Sequence, residues 1–382
     1  MRLCKSHTMS DIIGTPIWAG EHNEDVNHCC YSPDSSTVLS ISSDTTVKMW
    51  DLKGNLLWTG KNDRYVYHCC YSPDGSTILS CSLDKTVKMW DLKGDLLWTG
   101  KHDDWVYYCC YSPDGSTILS CSSDGTVKMW DLKENLLWTG QHDRWVSHCC
   151  YSPDGFTFLS CSYDGTVIMW DLKGNLLWTG QHNNWVHHCC YSPDGSTVLS
   201  CSEDKTVKMW DLEGNLLWTG QHDGYVYRCC YSPDGFTFLS CSNDKTVKMW
   251  NLEGNLLWTG QHDGSVNRCC YSPDGFTFLS CSTDNTIKMW DLEGNLLWTG
   301  QHDGSVRHCC YSPDGSTVLS CSTDNTIKMW KNPFYIWDPN HYKYKTEDLK
   351  RQVKTLFTLR FTGESQMSIL PNELLFNIIT LL

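Results

Sequence analysis

Hydrophobic and polar positions repeat along this chain with a strict period of 40 residues. Turn-forming residues divide each unit, as in the run Ser272-Pro273-Asp274-Gly275, where proline presets φ and glycine accepts a positive φ. The 3.6-residue periodicity of helical repeats is absent, so the pattern predicts an all-β chain with four strands per unit. One unit has four short extended stretches, at residues 266–271, 277–282, 286–290 and 295–299.

A tryptophan at the end of the third predicted strand marks eight units. These residues are Trp50, Trp90, Trp130, Trp170, Trp210, Trp250, Trp290 and Trp330. Four strands in a repeat of this length are typical of a propeller blade. The sequence therefore predicts an eight-bladed β-propeller of four-stranded antiparallel blades, with seven blades and one displaced unit as the alternative.

The two ends of the repeat region predict how the ring closes. Residues 15–20 match the fourth-strand sequence of residues 55–60 but precede the first unit, so we expect them to pair with the strands that end at Trp330. Residues 333–337 are a competing candidate for the same outer position. The predicted organisation is an N-terminal extension at 1–14, a propeller at 15–337 and a helical tail at 338–382.

The repeat resembles that of the WD-repeat β-propellers over residues 15–337. Its Gly260-Gln261-His262 is similar to the Gly-His of that family, and Trp290-Asp291 to its terminal Trp-Asp; Asn62, Asn251 and Lys331 depart from the pattern. The resemblance implies a buried network of His, Ser, Asp and Trp in each blade. In the first, third and seventh units these residues are His22, Ser40, Asp44, Trp50, His102, Ser120, Asp124, Trp130, His262, Ser280, Asp284 and Trp290.

The recurring His, Ser and Asp also suggest a hydrolase triad, which is the alternative from another class of function. Eight copies of one active site would be extraordinary, and no Gly-x-Ser-x-Gly turn is present. Buried polar groups need hydrogen-bond partners, which a structural network supplies. We therefore interpret the set as structural and expect no catalytic residue. Asn62 stands where the second unit should have histidine and predicts a poorer network there.

Composition limits which classes of binding partner and which cellular compartment are expected. The net charge of −14 disfavours nucleic acid, and no apolar run reaches the roughly 18 residues that cross a membrane. Because no secretory signal is seen, the 24 cysteines are expected to be reduced, in a cytoplasmic or nuclear protein. Adjacent strand residues such as Cys109 and Cys110 point to opposite faces and cannot share one metal, so no metal or other cofactor is predicted.

Differences between the units indicate where a partner binds. They concentrate around the first-strand valine and beside the network aspartate, which the family resemblance places on one rim, the top face. Large aromatic side chains dominate interface hot spots, so we predict a protein or peptide site there. Packing over the channel mouth is the alternative, and a reader of methyl-lysine or another cationic peptide is a second binding function. The predicted rim residues are Tyr65, Trp105, Trp145, Trp185 and Tyr225, with Arg64, Arg144 and Tyr163 beside them.

The tail after Trp330 lacks the repeat and predicts two helices. The run Leu370-Pro371-x-Glu373-Leu374-Leu375 resembles the opening of an F-box, and residues 355–360 with Leu370-Pro371 resemble a SOCS box. Either resemblance implies a scaffold that delivers a rim-bound substrate to a cullin-type ubiquitin ligase, whereas helices that only pack under the propeller are the structural alternative. The implied ligase-docking residues are Leu356, Leu370, Pro371, Leu374, Leu375 and Ile378.

Overall fold

The computed structural model describes residues 13–335, in which 32 strands of six residues each follow one another. The first strand of each unit is β2 Val26–Tyr31, β6 Val66–Tyr71, β10 Val106–Tyr111, β14 Val146–Tyr151, β18 Val186–Tyr191, β22 Val226–Tyr231, β26 Val266–Tyr271 or β30 Val306–Tyr311. The second is β3 Thr37–Ser42, β7 Thr77–Ser82, β11 Thr117–Ser122, β15 Thr157–Ser162, β19 Thr197–Ser202, β23 Thr237–Ser242, β27 Thr277–Ser282 or β31 Thr317–Ser322. The third is β4 Thr46–Asp51, β8 Thr86–Asp91, β12 Thr126–Asp131, β16 Thr166–Asp171, β20 Thr206–Asp211, β24 Thr246–Asn251, β28 Thr286–Asp291 or β32 Thr326–Lys331. The outermost is β1 Pro16–Glu21, β5 Leu56–Lys61, β9 Leu96–Lys101, β13 Leu136–Gln141, β17 Leu176–Gln181, β21 Leu216–Gln221, β25 Leu256–Gln261 or β29 Leu296–Gln301.

The strands form eight four-stranded antiparallel sheets. Seven of them run outward from the axis in chain order, as in β2-β3-β4-β5, and the eighth has the order β30-β31-β32-β1. The first strands of neighbouring sheets lie side by side, and β2 contacts both β6 and β30, so the ring is closed. The predicted eight-bladed propeller is confirmed, and the seven-bladed alternative is wrong. Among residues 13–335, no helix has the length and apolar character to cross a bilayer.

Strand β1 closes the ring by completing the last blade. It pairs antiparallel with β32, with Pro16 opposite Trp330 and Glu21 opposite Thr326. The competing segment does not take this place, because β32 is already paired on both sides and residues 333–335 form no strand. Residues 336 and 337 lie outside the described part of the chain.

The hydrophobic core lies between blades. In one cluster, Leu159 and Val167 of one blade pack against Val186 and Val198 of the next, all with no exposed surface. The buried thiol of Cys189 belongs to the same cluster and acts as a small apolar group. A hydrogen bond between a threonine hydroxyl and the tyrosine hydroxyl of the next blade recurs at all eight junctions. Packing of each blade therefore depends on both neighbours.

Candidate functional site

Each blade except the second contains a histidine-centred hydrogen-bond network. In the first blade, His22 Nε2 lies 2.7 Å from Ser40 Oγ, which also accepts a 2.7 Å hydrogen bond from Trp50 Nε1. On the other side of the imidazole, His22 Nδ1 lies 3.0 Å from Asp44 Oδ2. The structure brings together the predicted sets of the third and seventh blades in the same way: His102, Ser120, Asp124 and Trp130, and His262, Ser280, Asp284 and Trp290.

The second blade lacks half of these contacts. Trp90 Nε1 still donates to Ser80 Oγ at 2.9 Å, but both polar atoms of the buried Asn62 amide have no partner. The shorter amide does not bridge Ser80 and Asp84 as imidazole does elsewhere. This is the poorer network that Asn62 predicts.

Burial and charge make this network a structural one. Burial lowers the pKa of His22 against the opposing effect of Asp44, so the imidazole is neutral at pH 7. Burial also works to raise the pKa of Asp44, but hydrogen bonds from His22, Thr46 and the backbone N–H of Asn23 outweigh it and hold that pKa below its ordinary value. Ser40 has no exposed surface, and its hydroxyl lies between indole and imidazole. The set therefore offers no accessible nucleophile.

The positions that vary between units meet on one rim of the ring. Each first strand begins with a β-bulge; in β6, Val66 pairs with Ser82 and His68 with the adjacent Cys81. The backbone N–H before the network aspartate donates to the carbonyl before the valine, for example from Tyr163 to Trp145 at 2.9 Å. The bulge and this hydrogen bond hold the variable positions next to one another.

On this rim, ring contacts run without a break from the second blade to the sixth. Tyr163 is central: it stacks on Trp185 with 4.5 Å between centroids and 4° between planes, and Trp145 lies 5.7 Å away on another side. Further contacts extend the set in both directions at 5.3–6.2 Å between centroids. We call it the aromatic row; its members are Tyr67, Trp105, Tyr107, Trp145, Tyr163, Trp185, His187 and Tyr227.

The row contains four of the eight predicted rim residues: Trp105, Trp145, Tyr163 and Trp185. Tyr65 and Tyr225 are exposed, but within residues 13–335 neither makes a ring contact with the row. Arg64 and Arg144 are exposed next to Tyr65 and Trp145 in sequence. The structure therefore concentrates the predicted site on the third, fourth and fifth blades.

Sequence reasoning missed four members of the row: Tyr67, Tyr107, His187 and Tyr227. Each follows the buried first-strand valine and lies two positions after the residue before that valine, so alternation places both on the same face. Both neighbours of the valine therefore reach the same rim. Variation between units could have identified these positions, since the equivalent residues in other units are Asn27, Ser147, Asn267 and Arg307.

Polar groups border the row. His187 Nε2 lies 3.2 Å from Glu203 Oε1. Burial, with the nearby Glu203 carboxylate, raises the pKa of Tyr163 to about 12, so its hydroxyl is a neutral donor at pH 7. A cleft of about 420 Å³ between the second and third blades adjoins Trp105. It is lined by Asp63, Arg64, Leu83, Asp84, Lys85, Asp104 and Trp105.

Histidine and cysteine side chains meet between blades at five places in the described chain. At one of them, His28 Nδ1 lies 3.6 Å from Cys69 Sγ, with Cys30 alongside. Strand alternation within one blade does not reveal this grouping, because the residues come from two blades. Burial raises the pKa of Cys69 well above its ordinary value, which disfavours the thiolate that a metal requires. The absence of a bound metal stays a prediction.

The tail residues fall outside the described part of the chain, so ligase docking also stays a prediction. These residues are Leu356, Leu370, Pro371, Leu374, Leu375 and Ile378.

Similar folds occur among solved structures. The computationally designed Ika8 protein is 26% identical, with a TM-score of 0.73, and the match covers 84% of this chain and 99% of that one. The C-terminal WD40 domain of Sif2 is 16% identical, with a TM-score of 0.75 over 85% of this chain and 99% of that one, and it shows the fold alone. No curated protein matches the chain.

The family model for the WD domain, G-beta repeat, matches all eight units. The matched residues are 14–51, 54–91, 94–131, 135–171, 174–211, 214–251, 254–291 and 294–331. Each match ends at the third strand, so each family unit joins the outer strand of one blade to three strands of the next. Together with the eight closed blades, these matches show that the chain belongs to the WD40 repeat family.

Proposed function

We propose that this protein is a non-enzymatic scaffold that binds a protein or peptide on the aromatic row. WD40 propellers are typical scaffolds for protein interaction. The observation that carries the proposal for this rim is the unbroken row itself, in which Trp145 and Trp185 keep 41% and 38% of their surface exposed. Exposed aromatic patches of this kind mark interaction sites on soluble proteins.

The row is suited to binding because its rings already support one another. Tyr163 stacks on Trp185, and Trp145 contacts Tyr107, so a partner would immobilise few side-chain rotamers. Ordering side chains on binding costs affinity, and a prearranged aromatic surface avoids most of that cost.

A comparison of row variants on peptide arrays tests this proposal. The last two units have Ser265 and Ser305 where the row has tryptophan, so Trp145→Ser and Trp185→Ser are replacements that the repeat itself accommodates. Each should weaken peptide binding at least about tenfold without moving the thermal midpoint. Phe156→Ser is the matched control: it removes a side chain that is 71% exposed in a turn far from the row, where other units have serine. Unchanged binding by both tryptophan variants would refute the proposal.

A reader of cationic peptides is the second candidate function. The stacked Tyr163 and Trp185 offer aromatic faces, and Glu203 provides an adjacent carboxylate beside His187. This combination favours a methylated lysine or an arginine. If the protein reads cationic peptides, Glu203→Gln should weaken the binding of cationic peptides and not of neutral ones. An equal loss for neutral peptides would contradict this second function.

We also propose that the scaffold acts in a reducing compartment and that its tail docks a cullin-type ligase. All described cysteines are free, which supports the first part. The second part rests on the tail resemblance. Cullin components should co-purify with the full chain and not with a chain that ends at residue 337; recovery with both or with neither would contradict the docking role.

A further inference from the structure

A second set of variable residues surrounds the axis of the propeller, one position deeper than the aromatic row. Each is the second residue after the first-strand valine. We call this set the channel ring; its members are His28, His68, Tyr108, His148, His188, Arg228, Arg268 and His308.

Six members of the channel ring form a continuous series of close ring contacts around the axis. His28 lies 4.0 Å from His308 and 4.3 Å from His68, as measured between ring centroids. The series continues from His68 to Tyr108 at 3.9 Å, then to His148 and His188. Arg228 and Arg268 occupy the two remaining blades and complete the circle.

The two arginines have no counter-charge. Within residues 13–335, neither guanidinium makes an ion pair or a hydrogen bond, and Arg268 Nε is buried without a partner. Burial and the charge of Arg268 lower the pKa of Arg228. By contrast, the exposed Arg307 near the rim has Asp25 at 3.6 Å. Both arginine side chains are partly buried, and two like charges that are partly removed from water are costly unless an anion accompanies them.

The histidines supply hydrogen-bond donors to the same space. Cys29 Sγ lies 3.7 Å from His308 Nδ1, and burial keeps the thiol protonated by raising its pKa. An S–H that donates to Nδ1 leaves the proton of a neutral imidazole on Nε2. Nε2 of His308 and of His148 has no partner, although both residues are more than nine-tenths buried. In this tautomer the Nε2–H of His308 is a donor without an acceptor.

We infer that the channel ring is a binding site for a small tetrahedral oxyanion of the phosphate class. Two guanidinium groups would carry the charge, and imidazole N–H groups would supply further hydrogen bonds, the combination that favours phosphate oxygens. The whole chain has a net charge of −14, so the positive ring is a local feature and not part of a generally basic surface. The inference is independent of what the aromatic row binds.

Calorimetry with inorganic phosphate on the full chain tests this site. At pH 8 the histidines are neutral and the arginines alone carry charge. We expect one phosphate per chain, and a higher thermal midpoint in sodium phosphate than in sodium chloride of equal ionic strength. Equal stabilisation by both salts, or no measurable heat of binding, would overturn the inference.

Matched variants locate the binding. Arg228→His with Arg268→His converts both positions to the residue that five other blades have, and should weaken phosphate binding at least about tenfold. The control, Lys53→Gln with Lys93→Gln, removes two exposed charges and should bind as the original chain does. If the double arginine variant does not fold, Arg268→His alone serves. Equal losses in the control and the arginine variant would show nonspecific screening and contradict the site.

A second readout is specific to the ring. Near pH 6.5 a bound anion favours imidazolium. Binding of sulfate, a tetrahedral oxyanion that does not itself titrate at this pH, should therefore take up protons, and its measured heat should change with the ionisation enthalpy of the buffer. His148→Tyr, which copies Tyr108 of the third blade, should reduce this uptake. Sulfate binding without proton uptake in either protein would place the anion elsewhere.

Discussion

At the scale of single residues, Asn62 shows what one imidazole contributes to a blade. Seven blades have histidine at this place, and in the first of them it connects Ser40 to Asp44 across the blade. In the second blade the amide is as deeply buried but satisfies neither partner. An unsatisfied buried polar group costs about 1–3 kcal/mol, so this position is a weak point of the fold.

We therefore expect Asn62→His to stabilise the protein by about 1 kcal/mol, because it restores the missing hydrogen bonds. Guanidinium denaturation measures the change. The mirror substitution His102→Asn, in the third blade, should destabilise by a similar or larger amount. If Asn62→His lowers stability while His102→Asn has the expected effect, the second blade cannot form the hydrogen-bond network of the other blades, which would contradict this explanation.

The channel-ring histidines predict a loss of stability in mild acid. Burial lowers the pKa of His28, His68, His148, His188 and His308 well below the ordinary value, and nearby arginine charges add to this. Above about pH 6.5 the folded and unfolded chains both have neutral histidines. Below it only the unfolded chain takes up protons, so stability falls by up to about 1.4 kcal/mol per pH unit for each histidine.

Denaturation in chloride buffers from pH 7.5 to 5.5 measures this loss. The network histidines also contribute, so the decisive quantity is the difference between the original chain and His148→Tyr. The variant should show a shallower pH dependence, by up to one proton. Identical slopes for the two proteins would mean that His148 is protonated in the folded state.

At the scale of strands, the repeat determined almost everything that could be predicted. The eight units differ little in sequence, so the strands that alternation and turn residues predicted for one unit applied to all of them. Four such strands in each unit then predicted the blades. What alternation could not predict was the bulge in the first strand, where Tyr67 and Tyr107 have no partner of their own on the second strand. The positions of the channel ring vary between units in the sequence, but its members are 40 residues apart, so the contacts between them are seen only when the ring closes.

The outermost strands carry an exposed apolar perimeter. Leu57 and Leu97 each keep about half of their surface exposed, on strands that are edges of their sheets. Exposed apolar edge strands favour association between molecules. Leu57→Thr with Leu97→Thr should therefore reduce concentration-dependent association in light scattering and leave the thermal midpoint nearly unchanged. A large fall in the midpoint would instead show that these leucines stabilise the fold.

At the scale of the whole molecule, six residues complete the last blade where the ring closes. Strand β1 covers the edge of β32 and completes the eighth blade. Truncation of residues 1–21 should expose that edge, lower the thermal midpoint and produce dimers or larger species in size-exclusion chromatography with light scattering. Truncation of residues 1–12 is the control and should leave a monomer as stable as the full chain. A stable monomer after the longer truncation would contradict this account of closure.

The pairing of β1 with β32 also sets an order of events during synthesis. The amino-terminal strand leaves the ribosome first, but the edge that it covers is made some 300 residues later. Until then the nascent chain is an arc with an unpaired strand at each end. The last blade forms only when the two meet, so its formation reports that the whole repeat region has been translated.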